Sequence, residues 1–150
     1  MRRSVLVGLS LAGLAAAGVV ASRTAGSRPD EPGFDGPLPL CGGSRNCFRA
    51  RATLAADQET ARDAAREAVR AFDHVLTGRA LRVTPTELGL TAIFRSGPFR
   101  DDLAVAVVTG PSGGSVLHVR SASRVGESDI GVNRARVRRL IHDVEQRLAP

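Results

Sequence analysis

The chain has 150 residues, enough for one domain, and its 21 basic residues are all arginine, giving a formal net charge of +6. A basic chain of this kind could meet anionic lipid headgroups, glycans or nucleic acid through electrostatics alone. Its aromatic residues are five phenylalanines, too few for a base-stacking platform, so nucleic acid is the weakest of these partners.

Residues 1–21 have the pattern of a signal peptide or an N-terminal membrane anchor. Arg2 and Arg3 precede residues 4–20, which carry no charge, and small residues before Ser22 suit cleavage there. The apolar run is near the short limit of about 17 residues for spanning a bilayer, which favours cleavage over retention as an anchor. We therefore expect an exported protein, either periplasmic or extracellular, or anchored in a bacterial inner membrane and facing outward.

Residues 22–37 are rich in Gly, Pro, Ser and Asp and have no periodicity, which is typical of a flexible linker. A single α+β domain is expected over residues 38–150. Near its start, Cys41 and Cys47 enclose a short loop, and such a pair in an exported chain is more often a disulfide than a metal site. Free or redox-active thiols and a metal site are the alternatives. The three histidines show no ligand spacing, so no metal and no cofactor is predicted.

Residues 57–76 have the apolar stripe of an amphipathic helix, with charged residues on the other side. Asp57 is the predicted N-cap, and Gly78 is the predicted stop after the carboxyl end. The period then changes to two. Residues 81–84 predict a short strand ended by Pro85, and residues 87–94 predict a half-buried strand.

A turn is predicted at residues 96–98, and it leads into residues 103–108, which are apolar on both faces and so belong in the middle of a sheet. In residues 116–125, alternation places Ser121 and Ser123 on one face and His118, Arg120 and Arg124 on the other. Asn133 is then a predicted N-cap, with Val132 and Val137 forming a hydrophobic staple, and a closing helix follows to Leu148.

The start of this closing helix carries charge of the wrong sign. A helix N-terminus is partly positive and favours acids, yet this one opens with four arginines between Arg134 and Arg139. The balancing negative charge can come from the supporting acids of the chain or from an external anion. The acids are Asp101, Asp102, Glu127 and Asp129.

Three interpretations of this strand-to-helix corner remain open. It can be an internal arginine–aspartate network, a binding site for a polar or anionic ligand, or, less favoured, a hydrolase built from His118, Asp129 and a serine. None of the three serines near this corner, Ser121, Ser123 and Ser128, lies in a Gly-x-Ser-x-Gly elbow, so no catalytic residue is assigned. The candidate ligand-binding residues are Arg120, Ser121, Ser123, Arg124, Asp129, Asn133, Arg134 and Arg136.

Residues 118–137 together resemble the signature of the family known as domain of unknown function 1499. Residues 41–47 resemble that family's opening Cys-Pro-x-Ser-Pro-Asn-Cys, with Gly42 and Arg45 in place of the prolines, and residues 99–103 resemble its Phe-x-Asp-Asp segment. The resemblance implies an exported or membrane-linked bacterial protein, with relatives in chloroplasts and no established activity.

We therefore expect an α+β fold consisting of a helix, an antiparallel meander of about four strands and a C-terminal helix packed on the sheet. The expected function is non-enzymatic binding of an anionic small molecule, lipid headgroup or glycan in the cell envelope. A structural or assembly partner of an envelope complex is the alternative, and the protein partner is unknown.

Overall fold

The computed structural model describes residues 35–150, a six-stranded antiparallel sheet with two helices packed on one face. The predictions made for residues 1–21, and for the linker up to residue 34, lie outside the described residues. In the part of the chain that is described, no helix is long and apolar enough to cross a membrane. In chain order the elements are β1 (Cys47–Leu54), α1 (Gln58–Ala71), β2 (Asp73–His74), β3 (Gly78–Pro85), β4 (Gly89–Ser96), β5 (Phe99–Thr109), β6 (Ser115–Ser123) and α2 (Val132–Leu148).

The predicted α+β class is confirmed, with six strands in the order β1-β6-β5-β4-β3-β2 instead of about four. Strands β2 to β6 form the expected meander, and β1 pairs with β6. The sequence did not predict β1, because its alternation of arginine and alanine after Phe48 lacks the β-branched residues that mark a strand. As a consequence, β6 has a neighbour on both sides.

Helix α1 begins where the sequence predicts and ends earlier. The Asp57 carboxylate accepts the backbone N–H of Thr60 at 2.9 Å, which confirms the N-cap. The predicted stop at Gly78 is wrong, because the helix ends at Ala71 and Phe72 turns into the core, 5.3 Å from the ring of Phe94. Residues 73–74 then form the edge strand β2, which the apolar periodicity of residues 72–76 concealed.

The turn at residues 96–98 joins β4 and β5 as predicted, and β5 lies inside the sheet between β4 and β6. The alternation predicted for β6 is also confirmed. Leu117, Val119 and Ser121 are buried on the face that packs against the helices, which we call the inner face. His118 and Arg120 lie on the opposite face, which we call the outer face.

The start of α2 differs from the prediction. Asn133 is not the N-cap, because the helix begins at Val132 after Gly131, whose φ is +85°. Asp129 supplies the cap instead, accepting the backbone N–H groups of Gly131 at 3.0 Å and Asn133 at 2.6 Å. Val132 therefore lies inside the helix and the staple is not formed. The apolar stripe of α2 is buried as predicted, in Val137, Leu140, Ile141 and Val144.

Candidate functional site

Arg136 is the centre of the strand-to-helix corner, and it is completely buried. Its Nε–H donates to the Thr77 carbonyl at 2.9 Å, and one terminal nitrogen donates to Ser121 at 2.7 Å and to the Asn133 side-chain oxygen at 2.9 Å. The other terminal nitrogen donates to Ser96 at 2.7 Å and to Asp101 at 2.6 Å. A guanidinium has five N–H donors, so Arg136 has none left for a ligand.

Burial and charge act in opposite directions on this arginine. Removal from water lowers the pKa of Arg136 from its ordinary value, while the hydrogen bond to Asp101 and the charges of Asp101 and Asp129 raise it. The guanidinium also stacks 4.9 Å from the ring centroid of Phe94. Asp101 is itself buried, and its Oδ2 pairs with Arg136, which balances the carboxylate charge. Its second oxygen, Oδ1, has no hydrogen-bond partner among the described residues.

Asn133 is likewise buried with all its side-chain hydrogen-bonding positions used. Its oxygen accepts from Ser121 at 2.6 Å as well as from Arg136. Its nitrogen donates to the Asn46 carbonyl at 2.8 Å and to Ser123 at 2.9 Å. Asn133 therefore joins the first turn of α2 to the end of β6 and to the loop before β1.

The cysteine loop is part of the same corner. Cys41 and Cys47 form the predicted disulfide, with Cα atoms 5.5 Å apart. Between them, Asn46 accepts the N–H of Ser123 through its carbonyl at 2.8 Å and donates from its side chain to the Gly126 carbonyl. The disulfide thus holds a loop that braces both ends of the β6–α2 connection.

The structure divides the eight candidate residues into three places. Ser121, Ser123, Asn133 and Arg136 lie on the inner side of the sheet, within the buried network just described. Arg120 and Arg124 lie on the outer face, separated from that network by the thickness of the sheet. Asp129 caps α2, and the Arg134 guanidinium lies 5.1 Å from the ring centroid of Phe48. Alternation within β6 already indicated this separation of arginines from serines.

The supporting acids are divided in the same way. Asp101 faces inward to Arg136, and the adjacent Asp102 faces outward to Arg124, which contacts both of its oxygens at 2.6 to 3.1 Å. This hydrogen bonding and the charge of Asp102 raise the pKa of Arg124. Glu127 is exposed in the β6–α2 connection.

The outer face holds an open depression of about 340 Å³. Across it, Arg120 of β6, Ala104 of β5, Thr91 of β4 and Thr84 of β3 are successive neighbours in the sheet. Because the side chain of Ala104 is small, the middle of the depression is not filled. Three arginines and one acid line the depression: Arg82, Arg120, Arg124 and Asp102.

Arg120 is the least satisfied of these arginines. Its Nε is buried and has no hydrogen-bond partner among the described residues. Directly opposite on β1 is Arg49, a like charge, and such cross-strand pairs are destabilising. Arg49 donates to the Leu38 carbonyl at 3.4 Å. Of the four ion pairs among the described residues, none includes Arg82 or Arg120.

A second depression, of about 350 Å³, lies between the cysteine loop and the start of α2 and is lined by Arg45, Asp129 and Arg134 among others. The helix N-terminus here is already occupied by the Asp129 carboxylate. An external anion would meet that carboxylate, so the outer-face depression is the more favourable of the two for negative charge.

His118 is buried on the outer face beneath the segment that precedes Cys41. A Cβ on Gly36 would lie 2.7 Å from the imidazole, so a larger residue at this crossing would displace the His118 ring. Burial, with the charges of Arg51 and Arg49, lowers the pKa of His118, so the imidazole is neutral at pH 7. Ser121 and Ser123 face the other side of the sheet, and Asp129 caps α2. The arrangement therefore does not assemble the hydrolase set considered from the sequence.

Sequence reasoning missed Arg82, Thr84 and Thr91 as residues of the outer-face depression. They share a face with Arg120 only through the pairing of four strands, whose register includes a shift between Ala80 and Arg82. Alternation within each strand was the available signal, but it does not relate one strand to another. No group of three or more His, Cys, Asp or Glu residues in the described part of the chain could hold a metal ion.

Comparison with known proteins gives one family. The family described as "Protein of unknown function (DUF1499)" matches residues 37–144, which include the whole sheet and most of α2. No curated protein and no solved structure matches the chain.

Proposed function

The chain belongs to the DUF1499 family, whose function is unknown, and we propose that it is a non-enzymatic cell-envelope domain that binds an anionic ligand on the outer face of its sheet. The envelope location is supported by the signal-like pattern of residues 1–21 and by the Cys41–Cys47 disulfide, which suits an oxidising compartment. The binding site is the depression lined by Arg82, Arg120 and Arg124.

The observation that carries this proposal is the state of Arg120. A guanidinium whose buried Nε has no partner, opposite another arginine, is an unfavourable arrangement, and an anion bound at the guanidinium would relieve the repulsion between the two like charges. Phosphate and carboxylate groups suit it, because their oxygens accept hydrogen bonds from a guanidinium in pairs. Arg124 is already paired with Asp102, so its charge is largely neutralised, and it would orient the ligand more than attract it.

The size of the depression limits the ligand. Adjacent strands are about 4.8 Å apart, so the distance from Arg120 to Thr84 across three strand spacings is roughly 14 Å. An anionic group at Arg120 would leave the Thr91 and Thr84 hydroxyls for polar groups farther along the same molecule. A glycerol phosphate headgroup or an acidic sugar has this chemistry and would fill part of the length.

Phosphate should stabilise the wild-type chain, and Arg120→Gln should abolish the effect. At ten times Kd a ligand adds about 1.4 kcal/mol to the free energy of unfolding, which raises Tm by several degrees in a domain of this size. The measurement is Tm in inorganic phosphate, glycerol 1-phosphate and glucuronate at constant ionic strength. Comparing the last two distinguishes a headgroup from an acidic glycan.

Arg138→Gln is the matched control, because Arg138 is an exposed arginine on α2, away from the outer face. It should keep the full shift in Tm. Without ligand, Arg120→Gln should be as stable as the wild type or more stable, by up to about 1 kcal/mol, since it removes the like charge opposite Arg49. Equal shifts in Arg120→Gln and the wild type would refute the proposed site.

A further inference from the structure

Exposed apolar side chains are concentrated at one end of the sheet. This loop end consists of the β2–β3 turn, the β4–β5 turn, the β6–α2 connection and the cysteine loop. The pairing of Arg79 with Arg95, and of Asp101 with Ser123, places these connections together. Of the eight large apolar residues that are exposed in the described chain, six lie in these connections or directly beside them: Leu40, Val75, Leu76, Phe99, Val125 and Ile130.

The exposure of these side chains is high, from 55% for Phe99 to 95% for Ile130. Single exposed apolar residues are ordinary on a protein surface, but a group at one end indicates a contact surface. The other two are less exposed: Leu81, within β3, is 45% exposed, and Leu88, in the β3–β4 turn at the opposite end of the sheet, is 37% exposed.

Ile130 supports this interpretation independently. Its φ is +53°, in the left-handed region that β-branched residues avoid. The strain has no compensation from packing, because the side chain is 95% exposed. Asparagine or glycine would adopt this conformation more easily. The isoleucine side chain therefore has no evident role within the described domain, which is expected if it contacts something outside.

Positive charge surrounds these apolar residues. Five exposed arginines lie at the loop end, and the acids there are Asp73, Glu127 and Asp129, the last of which is used in capping α2. This count leaves out Arg124 and Asp102, which pair with each other. The arginines are Arg45, Arg79, Arg95, Arg100 and Arg134.

We propose that the loop end docks on the surface of a bilayer that contains anionic lipids. Its apolar residues come from four separate connections, with one or two residues on each, and a fluid interface can accept such residues one by one. The surrounding arginines would meet the lipid phosphates. A protein partner would instead require a close-packed patch of about 800 Å² per partner. The docking surface adjoins the depression around Arg120 at Arg124 and Asp102 but does not include Arg120.

The amino-terminal sequence is compatible with this placement. The predicted export signal or anchor, residues 1–21, would bring the chain to a membrane. If it is retained, the 13 residues from 22 to 34 can span at most about 45 Å, so the domain would stay within reach of the bilayer surface.

The experiment is hydrogen–deuterium exchange of the full chain with phosphatidylglycerol vesicles and with phosphatidylcholine vesicles. Exchange measured peptide by peptide distinguishes docking of the loop end from attachment through the amino terminus. Attachment through the amino terminus would occur with both lipids. Slower exchange is expected in peptides covering residues 74–78, 96–100 and 124–131 with phosphatidylglycerol alone. Changing any one of the five loop-end arginines to glutamine should weaken the affinity of the chain for phosphatidylglycerol vesicles about fivefold.

The double variant Leu76→Ser/Ile130→Asn should lose this protection from exchange. Its Tm should stay the same or rise, because Ile130 is strained and both side chains are exposed. Leu88→Ser, at the other end of the sheet, is the matched control and should keep the protection. Arg120→Gln should also keep it, which separates this surface from the proposed anion site. The proposal would be overturned if both lipids slowed exchange at the loop end equally, or if neither did. It would also be overturned if exchange slowed only when a purified envelope protein was added.

Discussion

Arg136→Met is expected to lower the free energy of unfolding by about 3–5 kcal/mol, the usual cost of removing one partner from a buried ion pair. The variant leaves the carboxylate of Asp101 buried without its cation. It also leaves the Thr77 carbonyl without the 2.9 Å hydrogen bond that it accepts. Most domains are stable by about 5–15 kcal/mol, so this is a large fraction of the total. Urea denaturation of the purified variant measures it.

Two comparisons identify the cause of this loss. Arg139→Met removes an exposed arginine that is paired with Asp143 on the same helix, and it should cost no more than about 1 kcal/mol. Arg136→Met combined with Asp101→Leu removes both buried charges and should recover part of the stability. A loss below about 1 kcal/mol for Arg136→Met alone would show that the buried network is not structural.

Asn133→Ala should have the second largest effect, about 2–3 kcal/mol, because each buried polar group left without a partner costs about 1–3 kcal/mol. The substitution removes donors from the Asn46 carbonyl and Ser123, and an acceptor from Ser121. The change in Tm of the variant is the measurement, and about 4–8 °C corresponds to each kcal/mol in a domain of up to about 100 residues.

Gln146→Ala is the control for Asn133→Ala, since it truncates an exposed amide on the same helix and should change stability by less than about 0.5 kcal/mol. Asn133→Asp separates the donors from the acceptors. It keeps two acceptor oxygens and loses the donors to Asn46 and Ser123. If Asn133→Asp proved as stable as the wild type, that result would contradict the bracing role assigned to the amide nitrogen.

Much of the fold follows from local patterns that the sequence displays. The alternation in β6, the turn before β5, the buried run in β5 and the stripe of α2 each depend on residues close together in the chain. The Asp57 cap is also local. The cysteine pair was predicted as a disulfide from compartment and spacing, and the structure contains it.

The remaining features depend on residues distant in the chain. Strand β1 is defined by its partner β6, some 70 residues later, and its own alanines and arginines give only a weak signal. Helix α1 ends at Ala71, and the next residue, Phe72, packs against Phe94, a contact that periodicity cannot show. Asn133 resembled an N-cap, but its partners Asn46 and Ser121 draw it into the core while Asp129 caps the helix.

The candidate site shows the same division. The sequence identified the strand-to-helix corner but left open whether the negative charge near its arginines comes from the chain or from an external anion. The structure places Asp129 on the helix amides and Asp101 on Arg136. What the sequence could not show is the outer-face depression, because Arg82 and Arg120 become neighbours only through the register of β3 to β6.

We propose that the corner is a closed structural network and that anions bind instead at Arg120. The most direct test is a titration of the isotopically labelled chain with phosphate, followed by backbone amide chemical shifts. We expect concentration-dependent shifts at Ala104 and Arg120, on the strands that line the depression. The amides of Gly131 and Asn133, already bonded to Asp129, should not change. Shifts centred on Gly131 and Asn133, with none at Arg120, would contradict the claim.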